Sequence, residues 1–156
     1  MFSGETVLSK LRSFFEGKGR KVLGVIVFGS YVYSPTKAHD IDLVVIVDKL
    51  ENIGEKVELE VEASVELRRT VRKPVDIHVF DPETFRENLE PGSFLSGLAL
   101  GYKILYDEIG LKKAIEELIR KISETEGYVY VKGRKWNLAS IAKAKTKHLK
   151  TQTPKS

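Results

Sequence analysis

The run Val22-Leu23-Gly24-Val25-Ile26-Val27-Phe28-Gly29-Ser30, followed after nine residues by Asp40-Ile41-Asp42-Leu43-Val44-Val45-Ile46-Val47-Asp48, decides how this chain folds. Each run is short, apolar and rich in β-branched residues, which predicts a strand buried on both faces rather than a helix. Gly29-Ser30 ends the first run, and Asp-Ile-Asp opens the second. The period of two along a strand sets Asp40 and Asp42 on one side, their Cα atoms about 6.6 Å apart. After the helix-breaking Pro74, Val75-Asp76-Ile77-His78-Val79-Phe80 reads as a third strand with one acid in its apolar pattern.

Around these runs the chain reads as helices. Val7, Leu8, Leu11, Phe14 and Phe15 recur at helical spacing over Thr6 to Glu16, and Gly17 and Gly19 stop the pattern. Val57 to Lys73 fits two periods. Val57, Leu59, Val61, Ala63, Val65 and Leu67 alternate with polar residues as in an exposed strand, while Leu59, Ala63, Leu67 and Val71 repeat every four. The Glu and Leu content and the Arg-rich end before Pro74 predict a helix. Further helices are predicted over Pro82 to Leu89, with Asp81 as cap, over Ser93 to Leu100, and over Leu111 to Ile122. Tyr102 to Tyr106 reads as an edge strand. Beyond Gly127, Tyr128 to Val131 and a loop with Gly133 lead to Asn137, read as the cap of a last helix over Leu138 to Leu149. The expected fold class is α/β (α+β), a short mixed sheet flanked by helices. The expected division is 1–109 for the principal domain and 110–156 for a C-terminal helical, basic extension.

The chain has 156 residues, 42% of them hydrophobic, enough to bury a core in one domain. Its net charge of +4 is unevenly placed. From Tyr128 onwards there are eight basic residues and no acid, so the first 127 residues carry 18 basic against 22 acidic side chains. Zero cysteines exclude disulfides, thiolate metal sites and a cysteine nucleophile. No run approaches the roughly 18 apolar residues of a membrane span, and the N-terminus lacks a secretory pattern, so a soluble cytoplasmic protein is expected. A single Met, no Cys and abundant Glu and Lys lean towards a thermophilic source.

The chemistry is carried by acids in apolar strands. Two carboxylates at the start of a buried strand repel each other and lose hydration unless a cation neutralises them. Oxygen ligands select Mg²⁺ or Mn²⁺, and two such ions about 3.5–4 Å apart can hold the attacking and leaving oxygens of a phosphoryl transfer. Asp76 is as hard to explain alone, and a neighbouring strand would make it a third ligand that also helps deprotonate an acceptor hydroxyl. Gly29 would let the backbone approach a phosphate, with Ser30 donating to its oxygens. The competing reading makes Gly29-Ser30 a tight turn and has Asp40 and Asp42 cap a helix or face solvent.

The pattern Gly29-Ser30, spacer, Asp40-Ile41-Asp42-Leu43 and later Asp76 resembles the active site of the DNA polymerase β-like nucleotidyltransferase superfamily, most closely its small stand-alone branch, the minimal nucleotidyltransferases. The matching stretch is about Leu23 to Tyr106. The resemblance implies a nucleoside triphosphate, expected to be ATP, bound by Gly29 and Ser30. It implies two Mg²⁺ (or Mn²⁺) ions, both ligated by Asp40 and Asp42, with Asp76 on the catalytic one. Asp40, Asp42 and Asp76 are then both catalytic and metal-binding residues. The implied activity is nucleotidyl transfer to a hydroxyl of a protein, small molecule or RNA, with release of pyrophosphate. A HEPN-type helical partner with a toxin-neutralising role is implied by the same analogy. Many members carry Ala-Arg-Gly shortly after Gly-Ser and a Ser before the first acid. Here Val32-Tyr33-Ser34 and His39 stand there, which motivates the alternative of a catalytically degenerate nucleotide- or RNA-binding module.

Other residues read more plainly. His39 and Lys37 lie in the loop before the acids and are expected to be solvated, with a phosphate contact as the functional alternative. His78 shares the strand face of Asp76 and is expected to be a partly buried structural histidine. Arg68, Arg69, Arg72 and Lys73 suit a helix C-terminus. Tyr128, Tyr130 and Trp136 interleave with Lys132, Arg134 and Lys135, a mixture able to stack on bases and neutralise phosphates of RNA, although solubility explains the charge about as well.

Overall fold

A strand buried on both faces needs a layer of side chains from above and below, and the computed structural model of this chain supplies both. It describes residues 3–124, 128–131 and 134–137. Helix α1 (Gly4–Gly17) precedes β1 (Val22–Phe28), the single turn α2 (Ser30–Tyr33) and β2 (Ile41–Val47). Helix α3 (Ile53–Val71) crosses to β3 (Val75–Phe80), and α4 (Pro82–Glu87) and a 3₁₀ helix (Phe94–Leu100) follow. The main body closes with β4 (Tyr102–Asp107) and α5 (Leu111–Ser123). The principal sheet has the order β3-β2-β1-β4, with β1 antiparallel to both neighbours and β2 parallel to β3. A parallel pair cannot be joined by a hairpin, and α3 is the crossover that joins it.

Alternate residues of the same strands build two separate cores. Val25 and Val27, Ile41 to Val47 in steps of two, and Val75, Ile77 and Val79 meet Val7, Leu11 and Phe15 of α1 and Leu59, Ala63, Leu67 and Val71 of α3. Ile26, Phe28, Val44, Ile46 and Phe80 face the other way, onto Phe85, Leu95, Leu98, Leu111, Ile115 and Ile119. The residues of α3 that could have alternated in a strand, Val57, Val61 and Val65, point to solvent, so the four-residue period is the one that packs. The same helix also closes the edge of β3. Glu60 accepts a 2.9 Å hydrogen bond from the Val79 amide, Lys56 donates to the Val79 carbonyl, and Lys56 and Glu60 pair at 2.7 Å. That leaves this stretch of edge without a free donor or acceptor for another strand.

One expectation is refined and one changes. The helix expected over Ser93 to Leu100 is a 3₁₀ helix, Phe94–Leu100. Arg134–Asn137 (β6) is a strand paired antiparallel with Tyr128–Val131 (β5), Asn137 opposite Tyr128, where the sequence suggests a loop leading to Asn137. The helix expected over 138–149 and its lysines lie outside the described residues. Among the described residues no helix is long and apolar enough to cross a membrane.

Candidate active site

The register brings the three acids together. Asp42 pairs with Asp76 across the parallel β2–β3 ladder and with Phe28 across the antiparallel β1–β2 ladder, so Phe28, Asp42 and Asp76 form one row over three strands. Asp40 lies two residues earlier, at the mouth of β2, whose start is anchored by a 3.0 Å hydrogen bond from the Ile41 amide to the Pro74 carbonyl. One carboxylate oxygen from each of Asp40, Asp42 and Asp76 lies within 4.8 Å of the others. Asp40 and Asp42 are half-buried and Asp76 is exposed. At such separations two unit charges repel by roughly 3–4 kcal/mol at an effective dielectric of about 20. A hard divalent cation converts that repulsion into binding, and three carboxylates leave coordination positions for water or phosphate oxygens. The donor set therefore fits Mg²⁺ or Mn²⁺.

Gly29 joins this row to the next element. Its backbone lies at φ 80°, ψ −157°, a region that side chains other than glycine avoid, and a Cβ there would stand 2.7 Å from Asp42 Oδ2. Both the turn and the acid thus require glycine at this position. Ser30, nearly buried, begins α2, and the Gly29 and Ser30 carbonyls accept the amides of Val32 and Ser34 at 3.0 and 2.7 Å. The connection to Asp40 is braced from α3's end: the Lys73 ammonium donates to the Ala38 carbonyl at 3.3 Å and stands 5.8 Å from the centre of the Tyr31 ring. Arg68, Arg69 and Arg72 stay exposed at the helix end, as do Lys37 and His39 in the loop.

His78 lies on the same face, two residues beyond Asp76. Its burial lowers its pKa, outweighing the attraction of Glu60 and Asp76. It packs against Phe94, ring centres 4.4 Å apart, and Phe94 in turn meets Phe28 edge-on at 5.8 Å. Sequence reasoning placed Phe94 only as one apolar residue of a helix. Its position beside the acid row follows from how the 3₁₀ segment crosses the sheet, which no local period encodes.

A mixed sheet with two acids opening one strand, a third on its parallel neighbour, and a Gly-Ser turn on the opposite side of that strand is the pattern the sequence reading assigns to nucleotidyltransferases. The family described as "Polymerase beta, Nucleotidyltransferase" matches residues 9–91, more than half of the chain, and the chain belongs to that family. Among solved structures, a chain of a mutant toxin–antitoxin complex MntA–HpeT shares the fold with a TM-score of 0.51 at 19% identity, over 77% of this chain and 85% of that one. A chain of a toxin–antitoxin complex with AMP-PNP aligns at 0.49 and 16%, over 97% and 92%. A chain from the complex of a tri-AMPylated Shewanella oneidensis HEPN toxin with an MNT antitoxin aligns at 0.42 and 15%, over 96% and 92%. A search of curated protein sequences gave no match.

Proposed function

We propose that this chain is a minimal nucleotidyltransferase that moves a nucleoside monophosphate, AMP from ATP in the first instance, to a hydroxyl on a protein acceptor, a HEPN-type toxin partner. The observation that carries the reading is the meeting of Asp40, Asp42 and Asp76 beside Gly29-Ser30, three chain segments converging on one end of the sheet. The acceptor class rests on the likeness to antitoxin chains alone.

In this reading Asp40 and Asp42 would hold both divalent ions and Asp76 would hold one of them. Bound there, the ions neutralise the triphosphate and make the acceptor hydroxyl more acidic. Gly29 lets the backbone come close to the triphosphate, and Ser30 donates to its oxygens. Asp76, the most exposed of the three, lies on the edge-strand side, opposite Gly29-Ser30, and takes the proton of the incoming hydroxyl. The hydroxyl oxygen forms a bond to the α-phosphorus as the bond from that phosphorus to pyrophosphate breaks. Acceptor and leaving group then lie on opposite sides of β2, as an in-line displacement needs.

Purified protein with α-labelled ATP, Mg²⁺ and a cell extract or a purified HEPN-type protein tests this. Label in a protein band that disappears with Asp42→Asn supports it, and label found in an RNA fraction redirects the acceptor. The replacement of Ala-Arg-Gly by Val32-Tyr33-Ser34 favours the second reading, a degenerate binding module. Nucleotide binding with no transfer to any fraction would select that one.

A further inference from the structure

An exposed phenylalanine is unremarkable by itself. Phe94 differs because it is held in place. It is 51% exposed yet packed against His78 and Phe28, with ring centres at 4.4 and 5.8 Å. Its turn is fastened by three hydrogen bonds: Ser93 Oγ to the Asn88 carbonyl, the Gly92 amide to Ser96 Oγ at 2.9 Å, and Ser96 Oγ to the Glu90 carbonyl at 3.2 Å. Ser96, which makes two of them, is buried. The ring is therefore presented by a fixed support, at little conformational cost to a ligand.

Its place on the sheet suggests what it receives. Phe28 belongs to the acid row and His78 lies two residues along β3 from Asp76, about 6.6 Å by the strand rise. Phe94 touches both, so it sits over the centre of the sheet, between the acid row and the row of His78 and Val44 further along the strands. The in-line axis of transfer runs across the strands, from Gly29-Ser30 to Asp76. The remaining substituent of the α-phosphorus, the ribose with its base, leaves that axis sideways, along the strand direction.

We propose that Phe94, backed by His78, is the stacking platform for the base of the nucleoside triphosphate, and that it favours purines over pyrimidines by ring area without reading their edges. This rests on the nucleotidyltransferase reading and adds to it the residue that sets base preference. No acid or hydroxyl is required at the platform, because a π face accepts any base.

Equilibrium binding in the presence of Mg²⁺, with ATP, CTP and inorganic tripolyphosphate as probes, tests it. The unaltered chain binds ATP more tightly than CTP. Phe94→Ala weakens ATP about tenfold and narrows the ATP-to-CTP ratio, with tripolyphosphate unchanged. Phe94→Tyr retains the preference, and Phe94→Leu, which keeps apolar bulk over His78, loses it. Unchanged ATP affinity in Phe94→Ala overturns the platform, including the case where only the acceptor's KM rises. Equal loss for ATP and tripolyphosphate in both Phe94→Ala and Phe94→Leu also overturns it, since the ring would then only support the site. If the unaltered chain takes up neither ATP nor tripolyphosphate with Mg²⁺, the nucleotidyltransferase reading itself falls, a result that cannot be mistaken for the failure of Phe94 alone.

Discussion

The two faces of the four-stranded sheet come from the same strands, one residue apart, and they have opposite characters. One face is apolar from end to end, Ile41 to Val47 and Val75 to Val79 in steps of two, sealed by α1 and α3. The other is apolar only towards Val44, Ile46 and Phe80, where α4, the 3₁₀ helix and α5 cover it, and carries Asp42 and Asp76 where the cover ends. The contrast shows how a small domain separates stability from chemistry. The sealed face and the covered part of the other contribute the burial free energy, and the open end can carry mutually repelling charges without unfolding the whole.

Four substitutions would break or sharpen that contrast. The largest effect is expected from Asp42→Asn, which removes a charge from the acid row. Transferase activity should fall by about 10³-fold or more, some 4 kcal/mol of barrier, while the thermal midpoint stays level or rises because repulsion is relieved. A parallel loss of melting temperature would count against separate roles for the two faces. Leu43→Ala, the next residue but on the sealed side and fully buried, should cost about 3–5 kcal/mol in denaturant unfolding, with transfer per folded molecule little changed. Gly29→Ala joins the two effects. Its backbone strain should cost about 1–3 kcal/mol, and the Cβ facing Asp42 Oδ2 should lower activity more than unfolding alone explains.

The smallest effect is expected far from the site. Partial burial acts to raise the Asp107 carboxyl, but the amides of Leu111, Ile109 and Gly110, at 2.8–2.9 Å, together hold its pKa below the usual value of 3.8. A depressed acid adds stability above its unfolded pKa and loses it as pH falls through the folded one. Asp107→Ala should therefore cost about 1 kcal/mol at neutral pH, from the lost cap at the start of α5, and the difference from the unaltered chain should shrink below about pH 4 in unfolding curves.

Much of this was legible in one dimension. The apolar runs of β1, β2 and β3 sit within a residue of where their composition places them, because a strand buried on both faces tolerates few polar residues and announces itself. The Asp40–Asp42 pair was legible for the same reason, acids being conspicuous in such runs. The α3 segment was less so, since its valines at positions 57, 61 and 65 satisfy an alternating pattern that packing then leaves in solvent. The ribbon of β5 and β6 was not, because Arg134 to Asn137 holds one apolar residue and becomes a strand only through its pairing with Tyr128–Val131.

Local periodicity, which depends on neighbours within about four positions, determined the helices, the strands and which acids share a side. Register across strands decided the rest: that Asp76 stands opposite Asp42, that a Cβ on Gly29 would collide with that acid, and that Phe94 rests on His78. Those pairings join residues 13 to 34 positions apart along the chain, and only the closing of both cores around one sheet fixes them.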